Sequence, residues 1–201
     1  MRLLSRLMAL FCSLTAGATL AGSLDVTVLD DSGKPLPDAV VFLDSAPAKR
    51  MVKPLTGVQV AQKDLRFVPA LLVVTTGTAV SFPNMDSVRH HVYSFSSAKR
   101  FELKLYVGTP LEPVVFDQPG AVVLGCNIHD QMIGYLLVVD TPFYGLTNEE
   151  GKVSLHDLPT AASTLRVWHS RLINSAQPQS QAIQVDGNNK TQTVSLKKLR
   201  K

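Results

Sequence analysis

Cysteine is nearly missing from this sequence: of 201 residues, only Cys12 and Cys126 carry a thiol. Cys12 lies in MRLLSRLMALFCSLTAGATLAGS, where Arg2 and Arg6 precede an apolar run from Leu7 to about Leu14 and then small residues. That order is the pattern of a secretory signal, expected to occupy 1–21, with cleavage after Ala18 or Ala21. Its removal leaves Cys126 alone, so an exported chain has no internal disulfide. An intermolecular bridge, burial or a metal is what remains for that thiol. The sequence also lacks an apolar run near the ~20 residues of a membrane-spanning helix, so no stable membrane insertion is expected once the signal is gone. Excess charge is missing too. Against 16 acidic residues stand 20 basic ones, of which Arg2 and Arg6 belong to the signal and Lys197, Lys198, Arg200 and Lys201 to the far end. The body between is nearly neutral, which argues against a nucleic-acid partner.

Helical periodicity is nearly absent after the signal, and neither an internal repeat nor a long low-complexity segment replaces it. Present instead are short β-branched and alternating runs, predicting strands near 24–29, 39–43, 71–76, 78–82, 90–95, 101–106, 121–125, 134–140, 152–155, 164–169, 182–185 and 193–196. Turn chemistry separates them, as in DDSGKPLPD, FPNMD, DQPG, NEEG and DGNN. With 45% apolar residues, the chain is expected to fold as an all-β Greek-key sandwich or barrel.

Within GCNIHDQMIGY, Cys126, His129 and Met132 stand three residues apart. Each alone has an ordinary reading, as a buried thiol, a surface imidazole or a gap-filling thioether. Together on one loop between strands they offer a thiolate, an imidazole and a thioether to one point. That set suits copper, with a second imidazole completing it. SVRHHVYSF supplies the second imidazole twice, as His90 and His91, and strand alternation lets only one of the two face the site. His156 and His169 have no further ligand at metal spacing and are read as structural.

The stretch RFVPALLVVTTGTAVSFPNMDSVRHHVYSF with AVVLGCNIHDQMIGYLLVVD resembles the cupredoxins, the type 1 blue copper family that includes plastocyanin and amicyanin. The three-and-three loop is most similar to the short loop of amicyanin. The whole chain is similar to periplasmic proteins labelled methylamine utilization or plastocyanin-like, although nothing in it resembles an amine-binding site. The resemblance implies copper as the cofactor and His90, Cys126, His129 and Met132 as its ligands. It departs from the family pattern in having His91, not Asn, after the first ligand. LDVTVLDDSGKPLPDAVVFLD and EEGKVSLHDLPTAASTLRVWH resemble pieces of a transthyretin-like or carboxypeptidase-regulatory-like sandwich. The expected organisation is therefore a signal at 1–21, an N-terminal β segment at 22–61, a cupredoxin-like copper domain at 62–141 and a C-terminal β-sandwich segment at 142–201. If the two flanks form one sandwich, the copper domain is an insertion in it.

The resemblance implies a periplasmic one-electron carrier that serves periplasmic or membrane-bound redox proteins. Three strong donors and a weak one leave no obvious open position, so the site reads as a carrier and not an enzyme. A binuclear copper centre needs a second cysteine where Asp130 stands. The flanking histidines of multicopper oxidases are replaced by Gly125 and Asn127. One alternative is a periplasmic copper carrier or chaperone, against which stands the scarcity of methionine beyond the signal: Met51, Met85 and Met132. The other is a β-sandwich module that binds a partner.

Overall fold

A computed structural model of the chain describes residues 22–173 and 177–200. The expected signal at 1–21 lies outside the described residues. In chain order the elements are β1 (Gly22–Leu29), β2 (Val40–Asp44), the single helical turn α1 (Ala46–Arg50), β3 (Val58–Gln59), β4 (Ala61–Lys63), β5 (Arg66–Val68), β6 (Leu71–Thr75), β7 (Thr78–Ser81), β8 (His90–Ser96), β9 (Lys99–Tyr106), β10 (Val114–Phe116), β11 (Gly120–Cys126), β12 (Ile133–Val139), β13 (Tyr144–Leu146), β14 (Lys152–Leu158), β15 (Ala161–Trp168), β16 (Gln179–Val185) and β17 (Asn189–Ser195). The chain is all-β, as expected, and its central part is a β-sandwich.

The two ends of the sequence build one sandwich together. β1 lies between β14 and β17, and β2 between β13 and β15, with β16 beyond β15. Leu24, Val26 and Val28 of β1 are buried while Asp25 between them is exposed, the period-two pattern of a strand with one wet face. β2 has no wet face: Val40, Val41, Phe42 and Leu43 are all buried. Phe42 lines a cleft with Leu137 and Val138 of the central unit, so β2 is covered on that side too.

The central unit packs the five-stranded sheet β6-β12-β11-β8-β9 against the small sheet β10-β7-β3. β12 explains why its sequence reads as an unbroken apolar run. Leu136 and Val138 belong to the unit's own core with Val80, Phe82 and Phe116. Leu137 and Val139 join the core of the flanking sandwich around Trp168. A strand covered on both faces has no need of polar alternation. Tyr135 of β12 sets its ring edge-on to Trp168, with centroids 6.0 Å apart. The chain joins the central unit earlier than residue 62, because Val58 of β3 already pairs with Val80 of β7.

Candidate metal centre

β11 and β12 are antiparallel neighbours, with Gly125 opposite Ile133. The residues between form a tight loop closed by the Met132 amide donating to His129 O at 2.9 Å. Cys126, the last residue of β11, is buried at 3% exposure, and Met132 at 1%. Both belong to the central core cluster, so the loop carries its sulfur residues inward. Asn127, Ile128 and Asp130 are exposed, while His129 between them is partly covered.

The first histidine comes from the neighbouring strand. Cys126 pairs with Val92 of β8, two residues along from His90. The register of β8 against β9 shifts between His90, opposite Tyr106, and Val92, opposite Leu103. Bulges of this kind re-aim a side chain. His90 is fully buried, its Nδ1 3.7 Å from Cys126 Sγ. His129 Nδ1 lies 3.7 Å from the same sulfur, and donor atoms of all three residues fall within 4.8 Å of one another. An ion bound by nitrogen at ~2.0–2.1 Å and sulfur at ~2.3 Å, with angles near 120°, sets these donors about 3.7–3.8 Å apart. The spacing present therefore fits a metal ion, and the set of one thiolate and two imidazoles is one that copper takes.

His91 faces the other way. Its Nε2 is 3.0 Å from Glu102 Oε1, close but out of hydrogen-bond alignment, and its ring meets Tyr93 edge-on. His156 is exposed on β14. His169 is buried beyond β15, where its Nδ1 accepts the Arg171 amide at 3.0 Å. Neither joins the cluster.

Sequence reasoning missed the surroundings of His90. Asp86, four residues earlier, places Oδ2 2.8 Å from His90 Nε2. The same carboxylate accepts the amides of Asp64 at 2.7 Å and Leu65 at 3.1 Å, from the turn joining β4 to β5. Burial pushes the Asp86 carboxyl up, but the hydrogen bonds from His90, Leu65 and Asp64 outweigh it and hold it below the usual value. The Asp86 amide donates to Asn84 Oδ1, and Asn84 Nδ2 donates to Val88 O and Tyr106 O. Nearby, the Tyr106 hydroxyl is pushed up to about 12 by burial, a hydrogen bond from Gln62 opposing and Cys126 adding to the rise. It stays protonated and donates to Phe82 O at 2.7 Å. The available signal was the Asn-x-Asp turn in FPNMD, but the hairpin that meets it is some twenty residues away in sequence.

No protein-family model and no curated protein matches the chain. Among solved structures it is similar to a purple cupredoxin from Nitrosopumilus maritimus, at 23% identity over 41% of this chain and 99% of that one, with a TM-score of 0.34. A reduced amicyanin variant is similar at 19% identity over 49% of this chain and 98% of that one, TM-score 0.37. A Cu-containing nitrite reductase from Thermus scotoductus is similar at 22% identity over 56% of this chain and 28% of that one, TM-score 0.39. This last structure corrects one expectation. The sequence reads as a carrier and not an enzyme, yet a reductase stands among the similar structures, so the exclusion of catalysis is withdrawn.

Proposed function

We propose that this chain is a type 1 copper protein that passes single electrons between redox proteins of the periplasm, with His90, Cys126, His129 and Met132 as the ligands. The observation that carries the reading is the convergence of His90 Nδ1 and His129 Nδ1 on Cys126 Sγ, each at 3.7 Å. The chemistry copper supplies when bound there is a one-electron Cu(II)/Cu(I) couple. The protein's part is to hold the donors still and dry. His90 and Cys126 sit on paired strands, and with Met132 they are buried, so their positions are set by the packed core in either oxidation state. His129 alone among the four is partly open to solvent, which makes its ring edge the point nearest to a partner. Among the described residues no helix is long and apolar enough to cross a membrane.

The same burial counts against a chaperone that hands Cu(I) on, because neither sulfur is presented to a receiving protein. The test is a visible and electron spin resonance spectrum of the purified chain after adding Cu(II), beside Cys126→Ser and Met132→Leu. An intense thiolate-to-copper band is expected, absent in Cys126→Ser and retained in Met132→Leu. A colourless protein that takes zinc and shows no redox response would rule the reading out. Complete loss of copper in Met132→Leu would favour the chaperone.

A further inference from the structure

The turn between β4 and β5 has two consecutive non-glycine residues in the left-handed region, Asp64 at φ 53° and Leu65 at φ 57°. Such a conformation is uncommon for a bulky residue and persists where surrounding contacts impose it. Here the contact is a single carboxylate: both turn amides point at Asp86, which also receives His90 Nε2. The hairpin is tied down a second time, since the Gln62 amide donates to Pro83 O and the Met85 amide to Gln62 O, each at 2.8 Å. Its far side, Phe67, lies against Gly134 at the start of β12. The hairpin thus connects the segment before His90 to the strand that follows Met132.

From this we infer that Asp86 is a positioning residue for the metal centre. Locked by the two turn amides, it holds the proton of the His90 ring on Nε2 and leaves Nδ1 free to bind the metal. A carboxylate behind a ligating imidazole fixes the tautomer and ring orientation and makes the ring a stronger donor. A stronger donor favours the higher charge of Cu(II) over Cu(I), so the hairpin, through Asp86, lowers the reduction potential. This role rests on the copper reading above, but the arrangement of the proton on His90 does not.

The experiment compares full-length wild type with Asp86→Asn and Asp86→Glu. In metal-free protein at alkaline pH, ring nitrogen NMR shifts of His90 should report the Nε2–H form alone in wild type and a mixture of both tautomers in Asp86→Asn. In copper-loaded protein, Asp86→Asn should bind Cu(II) about 10- to 100-fold more weakly, with a smaller loss for Cu(I). Each tenfold difference between the two oxidation states appears as a rise of about 59 mV in potential. Asp86→Glu keeps the charge and should fall between the two. It also reads the same quantities should Asp86→Asn fail to fold. Unchanged His90 shifts and an unchanged potential in a folded variant would reduce Asp86 to a turn brace and overturn the inference. If wild type binds no copper, the copper reading fails while the tautomer comparison still decides the role of Asp86.

Discussion

Alanine at Gly134 and alanine at Gly125 should behave differently, although both crowd an aromatic ring. A β-carbon built on Gly134 stands 2.9 Å from Phe67 Cβ, 3.0 Å from Cδ2 and 3.1 Å from Cγ, where carbons in contact prefer ~3.5–4.0 Å. Phe67 Cβ is fixed by its own backbone and the ring is 2% exposed, so no rotation relieves the clash and the hairpin must move. Overpacking of this kind costs ~1–3 kcal/mol, and the gain from removing a strand glycine returns only ~0.5–1 kcal/mol. A net loss of about 1–2 kcal/mol is expected. At Gly125 the near atoms are the far end of Tyr93, Cζ at 2.8 Å and Oη at 2.9 Å, on a side chain that is only partly buried. It can swing towards solvent, so Gly125→Ala should lose no more than ~0.5 kcal/mol once the glycine entropy is counted. Urea denaturation of the metal-free proteins, followed by circular dichroism, gives both values. Phe67→Ala should also cost about 1 kcal/mol less in the Gly134→Ala background than in wild type, since each change relieves the other. Equal losses at the two glycines, or additive behaviour of Phe67 and Gly134, would refute the steric argument.

His91→Ala should keep the copper band, while His90→Ala should abolish it. His91 is buried and its ring also meets Tyr93, so the folded variant loses packing as well as the Glu102 contact but keeps its colour; the reverse pattern of colour would move the ligand to His91. The His169 pKa is held below its ordinary value by burial and then by Arg171. The unfolded chain therefore takes up this proton first as the pH falls, and stability present above the unfolded value of ~6.5 is lost as pH drops through the folded one. His169→Gln should flatten the denaturation midpoint against pH in that acid window; an unchanged slope would assign the acid loss to other groups.

What the sequence made legible was whatever repeats within one strand. All twelve expected strands exist, with ends moved by a few residues, because runs such as GSLDVTVL and TLRVWH carry their burial pattern locally. The strands not foreseen, β3, β4, β5, β10 and β13, each have two or three residues, too few for a period to show. α1 is a single turn, started by Ser45 accepting the Ala48 amide and by Pro47 in its first positions. Cys126, His129 and Met132 were readable because their ligand types are rare and their spacing short, whereas the residues alone left the second imidazole open between His90 and His91. Asp86 was not, because its importance comes from Asp64 and Leu65, whose amides reach it only through tertiary packing. Pairing between the two flanks likewise depends on partners more than a hundred residues apart, such as Leu24 and Leu155.

β2 leaves the flanking sandwich at Asp44, and β13 returns to it with Tyr144 directly opposite Phe42. Departure and return are thus adjacent rungs of one ladder. For an unfolded segment of about 100 residues, bringing such ends together costs roughly 4–5 kcal/mol of chain entropy. Once the central unit has folded, its two ends already lie side by side, and most of that cost has been met by the unit's own contacts. The outer sandwich then closes as though a short hairpin joined β2 to β13, and its stability is tied to the integrity of the domain it encloses.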